Sequence, residues 1–298
     1  MGQKNIRPVN NKIWTIGEIL KWTQKYFSGK NIESPRLDAE VLLSYVLKKE
    51  RIYLYVHFDE PLQENELVQF RGLVKKRAAR IPVAYITGQK EFMGMTFKVN
   101  NNVLVPRPET ELLVEAVIER LPQDREAVFA DIGTGSGIIA LSIAKFRPDM
   151  KAYAIDISQA ALAVAQENAR VLQIQEQITF LQGDLLEPLS KTGIGLLQAI
   201  ISNPPYIPLA DMAGLEPEVR KYEPQSALTD NNDGLDFYRR LLKNSRDFLT
   251  SSGFLACEVG IGQAKRIKLM ALEKGWGKCE ILKDLAEIER VIIIWKQK

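Results

Sequence analysis

The chain has 298 residues, of which 46% are hydrophobic and 26% are charged. This balance is typical of a globular protein with about two domains, and it excludes a disordered or collagen-like chain. The N-terminus shows no signal-peptide pattern and no run of about 18 apolar residues occurs, so we expect a cytoplasmic protein with no membrane partner.

Charge is unevenly distributed along the chain, whose formal net charge is only +3. Residues 1–90 contain 16 Lys and Arg against 9 Asp and Glu, whereas the remaining residues contain 24 against 28. The two parts therefore have opposite balances of +7 and −4. This asymmetry predicts two different modules, although the small total charge does not indicate a nucleic-acid binder.

The first module is predicted to be helical. Thr15 and Glu18 have the spacing of a capping box, and Ser34 followed by Pro35 marks the start of a second helix. A third helix, over residues 64–80, carries the basic run RGLVKKRAAR. Such a run is usually a solvated helix face, but it is also able to dock an acidic macromolecule.

Residue types that often carry chemistry are scarce. His57 is the only histidine, and no nucleophile or group of metal ligands surrounds it, so we expect no catalytic role for it. Cys257 and Cys279 are the only cysteines, and both lie in apolar stretches. They are predicted to be buried free thiols, and we expect no metal site.

A connector is predicted between two domains. Apolar and β-branched residues alternate around turn formers in VAYITG (83–88) and MTFKVNNNVLVP (95–106), which predicts extended or hairpin structure. The resulting organisation is a helical domain over residues 1–82, a connector over 83–106 and a second domain over 107–298.

The second domain alternates strand and helix patterns. Apolar strand candidates such as AVFADIG, KAYAIDIS, LQAIIS and FLACEVG are separated by helical stretches such as AALAVAQENARVL. This order predicts an α/β fold with a doubly wound, mostly parallel sheet and helices on both faces. RVIIIWKQ at 290–297 is predicted to be one more strand, at an edge of the sheet.

A glycine-rich loop follows the first of these strands. In DIGTGSG, Gly133, Gly135 and Gly137 stand between a strand and a helix. Glycines allow a tight turn and close approach of a ligand, and the start of a helix offers N–H groups to an anion. The G-x-G-x-G spacing differs from the dinucleotide fingerprint, so it favours another nucleotide-like ligand over hydride transfer. A purely structural turn is the alternative.

Acidic residues end the next two strands. Asp156 follows AYAI, where a carboxylate is able to accept hydrogen bonds from both hydroxyls of a ribose. Asp184 and Leu185 follow the next strand, where they would flank the base if the ligand contains adenine. A helix N-cap is the alternative role for Asp156. Because parallel strands end at the same edge, these residues are predicted to line one crevice.

The fourth strand ends in NPPY. The side-chain oxygen of Asn203 and the carbonyl of Pro204 are together able to accept both hydrogens of a planar –NH2 group, and Pro205 adds rigidity. Nothing in the motif is a strong base, which suits an amide or aromatic amine whose lone pair is delocalised. The ring of Tyr206 is able to cover the flat group and favour a nascent cation. A plain proline-rich turn is the alternative.

These motifs resemble those of a known family. DIGTGSG, Asp156 and NPPY are similar to S-adenosylmethionine-dependent N-methyltransferases. SPRLDAEVLL, PVAYITGQKEF, VLVPRPETELLVE, EPQSAL and DGLDFYRRLL narrow the resemblance to the HemK/PrmC family, the protein-(glutamine-N5) methyltransferases that act on peptide chain release factors. The resemblance spans residues 34–295, although NPPY alone is shared with DNA methyltransferases.

The resemblance implies roles for particular residues. Those that would contact S-adenosylmethionine are Gly133, Thr134, Gly135, Ser136, Gly137, Asp156, Leu185 and Asn203. The catalytic residues would be Asn203, Pro204 and Tyr206, which with Pro205 would hold the glutamine. Some relatives carry an aromatic residue where Leu185 stands, so apolar contact rather than stacking on adenine is expected there. The loop VPRPETE (105–111) would border the site.

The resemblance also implies the partner. The substrate would be a class-1 release factor, methylated on the glutamine of its Gly-Gly-Gln loop and recognised in part by the helical domain. The alternatives are a DNA adenine methyltransferase, which needs a surface that reads and flips a base, a methyltransferase of a ribosomal-protein glutamine, and a non-catalytic S-adenosylmethionine sensor. A sensor needs only the glycine loop and Asp156, so Asn203 and Tyr206 argue against it.

Overall fold

The computed structural model describes residues 13–123 and 126–297. Residues 1–12 of the predicted helical domain, and residues 124–125 and 298 of the predicted second domain, lie outside the described residues. The chain divides into two compact units, Met1–Thr87 and Gly88–Lys298. The boundary between the two units falls after Thr87, and the domain limits at 82 and 106 stay a prediction.

The first unit is built from short helices around one apolar core. Thr15 and Glu18 form the predicted capping box before the first helix, each side chain accepting the other's backbone N–H. Pro35 opens the second helix as predicted. Leu20, Phe27 and Phe70 are fully buried in the core. The helices are α1 (Ile16–Ser28), α2 (Pro35–Leu47), α3 (Arg51–Val56), α4 (Glu64–Ala78) and α5 (Val83–Thr87).

The extended structure predicted for residues 83–88 is wrong, because α5 occupies most of this segment. Pro82, whose ring fixes φ at a helical value, starts the turn, and its carbonyl accepts the N–H groups of Tyr85 and Ile86. The Thr87 hydroxyl closes the turn on the carbonyl of Val83 at 3.1 Å. The alternation of apolar residues in VAYIT therefore reflects burial along one helical turn rather than a strand.

A hairpin and a large sheet form the second unit. The strands β1 (Gln89–Phe92) and β2 (Met95–Lys98) pair antiparallel. The remaining strands form one sheet and are β3 (Ala127–Ile132), β4 (Met150–Asp156), β5 (Ile178–Gln182), β6 (Leu197–Ser202), β7 (Leu249–Glu258), β8 (Cys279–Lys283) and β9 (Glu289–Trp295). Their spatial order is β5-β4-β3-β6-β7-β9-β8, with β3 to β7 parallel and β9 antiparallel to both its neighbours.

Helices cover both faces of this sheet, as the α/β prediction required. They are α6 (Thr110–Arg120), α7 (Ile138–Phe146), α8 (Gln159–Leu172), α9 (Pro217–Tyr222), α10 (Asp236–Asn244) and α11 (Ala264–Glu273). Along β6, Ala199 and Ile201 belong to one apolar cluster and Ile200 to the other. A strand buried on both faces reads as an uninterrupted apolar run, which is why these central strands were recognisable. The predicted doubly wound, mostly parallel fold is confirmed.

The edge position predicted for the last strand is wrong. β9 lies between β7 and β8, and its residues Val291, Ile292, Ile293 and Ile294 are fully buried. Val291 and Ile293 pack into one apolar cluster and Ile292 and Ile294 into the other, so the strand is covered on both faces. β8, whose sequence CEILK contains two charged residues and is nowhere fully buried, forms this edge of the sheet instead.

Candidate active site

The strand order creates a crevice at the carboxyl ends of the strands. β3 and β6 are neighbours, yet the chain leaves β3 towards β4 and β5 on one side and leaves β6 towards β7 on the other. Ligands of open α/β sheets bind at such a reversal. All the predicted site residues lie in the segments that follow β3, β4, β5 and β6.

The glycine loop is fastened to the end of β4. The N–H groups of Gly133 and Thr134 donate to the carbonyl of Ile155 at 2.8 and 2.9 Å. The N–H of Gly135 donates to Asp156 Oδ2 at 2.9 Å. These three amides therefore hold the loop in place, and the N–H groups of the loop are less available to an anion than the sequence predicted.

Gly137 ends this loop and precedes α7. Its φ of 85° lies in the left-handed region, which glycine adopts at little cost. A Cβ at this position would stand 2.8 Å from the Cδ1 atom of Leu141. The last glycine of the motif is therefore required by the close packing of α7 as well as by the turn.

A buried carboxylate, Asp131, lies beneath the loop and was given no role from the sequence. Its Oδ2 atom accepts the hydroxyl of Thr134 at 2.7 Å and the N–H of Ala140 at 3.2 Å. Burial raises the pKa of Asp131 to about 7. Thr134 therefore points into the protein, and its backbone is the part that remains near the crevice. The feature of the sequence that could have identified this residue is the aspartate that begins the motif DIGTGSG.

The remaining polar residue of the loop is held from α8. The carbonyl of Ser136 accepts the side-chain N–H of Asn168 at 2.8 Å. Asn168 is buried and also accepts the N–H of Lys98, at the end of β2, at 2.7 Å. The loop is thus braced against the hairpin through one asparagine, whose role needed long-range information to find.

Asp156 lies at the end of β4 and anchors two backbone segments. Besides Gly135, it accepts the N–H of Ser158 through Oδ1 at 2.9 Å. Ser158, not Asp156, is the N-cap of α8, which removes the alternative role that the sequence allowed. Burial raises the pKa of Asp156, while these backbone N–H groups act in the opposite direction.

The segment after β5 lies beside Asp156, because the N–H of Gly183 donates to the Asp156 carbonyl at 3.0 Å. Leu185 has a left-handed φ of 50° and packs into an apolar cluster with Ala130 and Ile155. Asp184 forms an ion pair with Arg240 of α10. Leu185 therefore supplies an apolar wall at this end of the crevice, and the carboxylate of Asp184 is engaged elsewhere.

The NPPY segment presents two carbonyl-type acceptors. Asn203 donates through Nδ2 to the hydroxyl oxygen of Thr110 at 3.2 Å. Within the described part of the chain, neither Asn203 Oδ1 nor the carbonyl of Pro204 accepts a hydrogen bond. The pair predicted to hold a planar –NH2 group is therefore available at the end of β6.

Tyr206 is tied to a buried carboxylate behind the motif. Its hydroxyl donates to Glu258 Oε1 at 3.2 Å, and the backbone carbonyl of Tyr206 accepts from Gln263 at 2.9 Å. Glu258 also accepts the hydroxyl of Thr110 at 2.6 Å. Burial, chiefly, and the nearby Glu258 raise the pKa of Tyr206 well above its usual value. Neither Glu258 nor Thr110 was identified from the sequence.

The loop VPRPETE now divides into separate roles. Arg107 pairs with the buried Glu223 at 2.7 Å, and the same carboxylate accepts the N–H of Val105 at 3.0 Å. Glu111 accepts the N–H of Met93 at 2.7 Å. These contacts fix the loop to its surroundings, and Thr110 is the residue of the loop that reaches the NPPY segment.

The sequence of the chain is similar to those of known methyltransferases. A family model described as the PrmC N-terminal domain matches residues 18–88, and one described as a methyltransferase small domain matches residues 108–213. A release factor glutamine methyltransferase of Geobacter sulfurreducens is 43% identical over 281 residues, covering 94% of this chain and 96% of the relative. One of Moorella thermoacetica is 42% identical over 286 residues, covering 95% and 99%.

The chain belongs to the release factor glutamine methyltransferase family. The family resemblance of the sequence motifs is thereby confirmed, and the chain is a methyltransferase. A methyltransferase structure from Pyrococcus furiosus, 19% identical, superposes with a TM-score of 0.50 over 76% of this chain and 98% of its own. At that identity the likeness shows the fold alone.

Other side chains with possible chemistry lie outside the crevice of this methyltransferase. In residues 13–123 and 126–297, no group of three or more His, Cys, Asp and Glu side chains is placed to hold a metal ion. Cys257 and Cys279 are free thiols, the first buried and the second partly exposed. The Nδ1 atom of His57 lies 3.2 Å from Glu60 at the surface of the first unit.

No helix within residues 13–123 and 126–297 is long and apolar enough to span a membrane.

Proposed function

We propose that the protein transfers a methyl group from S-adenosylmethionine to the side-chain amide nitrogen, N5, of the glutamine in the Gly-Gly-Gln motif of peptide chain release factors. The observation that carries the proposal is the pair of acceptors in the NPPY segment, Asn203 Oδ1 and the Pro204 carbonyl, neither of which accepts a hydrogen bond within the described part of the chain. The relatives named above support the substrate class. The proposal implies a reaction in the cytoplasm, where release factors act.

The residues of the crevice fit S-adenosylmethionine. The carboxylate of Asp156 retains lone pairs for ribose hydroxyls, because a carboxylate offers about four lone-pair positions and the N–H groups of Gly135 and Ser158 occupy one on each oxygen. Leu185 provides apolar surface for a base, and the glycine loop is hydrogen-bonded to the end of β4 through Gly133 and Thr134. When bound, S-adenosylmethionine supplies an electrophilic methyl group on a sulfonium sulfur.

The chain's own residues bind and orient the methyl acceptor. Asn203 Oδ1 and the Pro204 carbonyl accept the two N–H groups of the glutamine amide, which fixes the plane of the nitrogen. As the nitrogen–carbon bond forms and the carbon–sulfur bond breaks, positive charge grows on the nitrogen. Both hydrogen bonds strengthen at that moment, so preorganised acceptors stabilise the transition state more than the ground state.

Tyr206 and the nitrogen's protons complete the mechanism. The ring of Tyr206 covers the amide and interacts favourably with the developing cation. Its hydroxyl is donated to Glu258, so it is a structural contact and not an acid or base for the reaction. The alkylated amide nitrogen then loses a proton, which leaves N5-methylglutamine and S-adenosylhomocysteine.

The test compares methyl acceptors. Purified enzyme and S-adenosylmethionine carrying a labelled methyl group would be incubated with a whole release factor, a Gly-Gly-Gln peptide, or adenine-containing DNA. Mass spectrometry of the digested release factor is expected to find one methyl group on the glutamine of its Gly-Gly-Gln motif. Methylation of the DNA without methylation of the release factor would refute the glutamine assignment. Cofactor binding without transfer to any of the three would refute the release-factor assignment and leave the sensor and the ribosomal-protein alternatives.

A further inference from the structure

Two buried residues connect to Asn203 through the –NH2 group of its side-chain amide. Thr110 is the first residue of α6 and Glu258 the last residue of β7, and they are 0% and 2% exposed. The Thr110 hydroxyl lies 2.6 Å from Glu258 Oε2, and Asn203 Nδ2 lies 3.2 Å from the Thr110 oxygen. Two hydrogen bonds in series therefore lead from a carboxylate to the amide of the NPPY motif.

The direction of these hydrogen bonds is fixed by the carboxylate. An ionised carboxylate accepts hydrogen bonds and donates none, whereas a hydroxyl has one hydrogen and two lone pairs. Thr110 therefore gives its hydrogen to Glu258 and turns lone pairs towards Asn203. Only the –NH2 side of the Asn203 amide donates to those lone pairs. The opposite orientation would bring two acceptor oxygens together.

Glu258 accepts a hydrogen bond from a second hydroxyl as well. Tyr206 donates a second hydroxyl to its Oε1 atom at 3.2 Å. Burial raises the pKa of Glu258, and Glu109 acts in the same direction, whereas the hydroxyls of Thr110 and Tyr206 and the positive charge of Arg290 lower it. The carboxylate of Glu258 accepts both hydroxyls, one on each oxygen.

We propose that Thr110 and Glu258 are positioning residues that hold the Asn203 amide with its oxygen towards the methyl-accepting nitrogen. The inference rests on the proposed function, because a planar –NH2 group requires an acceptor from Asn203. In the flipped orientation, the –NH2 group of Asn203 would donate a hydrogen bond to the methyl-accepting nitrogen. That hydrogen bond would occupy the nitrogen lone pair that must attack the methyl group. The chain from Glu258 excludes that orientation before substrate binds.

The first test uses full-length Thr110→Val and Thr110→Ser. Valine keeps the size of the side chain without its hydroxyl, whereas serine keeps the hydroxyl without the methyl group. Loss of a hydrogen bond that orients a catalytic amide is expected to lower kcat by about tenfold or more in Thr110→Val. Thr110→Ser is expected to retain most of the turnover. Calorimetry should give unchanged affinity for S-adenosylmethionine in both variants.

A double-mutant cycle distinguishes positioning from a general contribution to the fold. If Thr110 acts through Asn203, adding Thr110→Val to Asn203→Ala is expected to lower single-turnover methyl transfer by less than about twofold. Equal losses in the two backgrounds would overturn the proposal. Glu258→Gln tests the far end, since its amide is able either to accept from Thr110 or to donate to it, and kcat is expected to fall less than in Thr110→Val.

The wild-type enzyme separates two kinds of failure. If it methylates the Gly-Gly-Gln glutamine and Thr110→Val does so at the full rate, the positioning role is refuted while the proposed function stands. If the wild-type enzyme leaves that glutamine unmethylated in a release factor that it binds, the proposed function is refuted, and the inference falls with it.

Discussion

At the scale of single residues, the carboxylates of the second unit act mainly as anchors for backbone N–H groups. Asp131 accepts the N–H of Ala140, Asp156 those of Gly135 and Ser158, Glu223 that of Val105, and Glu111 that of Met93. Each bond fixes a backbone segment of the second unit. Hydrogen bonds to charged acceptors are stronger than neutral ones, so the crevice is shaped before any ligand enters it.

Asp156 is predicted to combine anchoring with cofactor binding. Asp156→Ala should weaken S-adenosylmethionine binding by roughly 1–3 kcal/mol, because it removes a charged acceptor from the ribose and releases the N–H of Gly135. Asp156→Asn keeps one acceptor oxygen and should lose less affinity. Isothermal calorimetry measures both variants. Unchanged affinity in Asp156→Ala would mean that the ribose is bound elsewhere.

Asn203 is predicted to act in the chemical step. Asn203→Ala should lower kcat by about 100-fold or more, the scale for loss of a preorganised transition-state contact. Asn203→Asp keeps an acceptor but loses the N–H that reaches Thr110, so we expect it to restore little turnover. Steady-state kinetics with a Gly-Gly-Gln peptide measures both. Near-normal turnover in the aspartate variant would show that accepting a hydrogen bond is sufficient.

Asp131 predicts a dependence of stability on pH. Its pKa is raised from 3.8 to about 7 in the folded protein. Between these values the folded protein holds a proton that the unfolded chain has released, so stability falls as pH rises through this window. Asp131→Asn does not ionise and should lack this contribution.

Urea denaturation across the window checks the sign. The free energy of unfolding of the wild type, minus that of Asp131→Asn, should fall by roughly 1.4 kcal/mol for each pH unit from about 5 up to about 7. It should then level off. A difference that stays constant over this range would mean that Asp131 is ionised throughout.

At the scale of secondary structure, predictability followed the length and uniformity of the pattern. The central strands were found because burial on both faces leaves long apolar runs such as LQAIIS. The position of β9 was not found, because an apolar run shows that a strand is buried but not which strands flank it. The five residues of α5 are too few for a helical period to differ from strand alternation.

The junction between the glycine loop and α7 carries an element-scale prediction. Gly137→Ala should destabilise the protein in two ways, since its φ is 85° and its Cβ would meet the Leu141 side chain at 2.8 Å. Gly262→Ala is the matched control, because φ is 79° there and the added Cβ meets no described atom within 4 Å. The control isolates backbone strain from steric overlap.

Denaturation measurements separate the two contributions. Backbone strain alone should cost about 1–2 kcal/mol in Gly262→Ala. Overpacking should add roughly 1–3 kcal/mol in Gly137→Ala. Equal losses in the two variants would mean that α7 shifts freely to accommodate the methyl group.

At the scale of the whole molecule, the sequence predicted which residues lie at the carboxyl ends of the parallel strands, but not the network of buried side chains behind them. The residues at strand ends were predictable, because parallel strands deliver their carboxyl ends to one edge and each of those ends carries a recognisable motif. Thr110 is 93 positions from Asn203 and 148 from Glu258. No local pattern relates side chains at such separations, so only the folded arrangement shows that they meet.

The first unit carries the last prediction, on recognition of the protein substrate. The basic run of α4 is not uniformly exposed, because Arg77 is buried and pairs with Asp38 at 2.6 Å, whereas Lys75 and Lys76 are exposed. Reversing charge at Arg77 would break that pair, so the informative variant is Lys75→Glu with Lys76→Glu. If this surface docks the release factor, KM for the whole factor should rise several-fold, more at low salt, because exposed charges are screened by ions. Turnover of a free Gly-Gly-Gln peptide should not change.

The control variant is Lys265→Glu with Lys268→Glu on α11, which makes the same charge change at exposed positions of the second unit. An equal rise of KM in both double variants would mean that net charge, not a docking surface, causes the effect. If KM does not rise in Lys75→Glu with Lys76→Glu, the basic face of α4 is only a solvated surface.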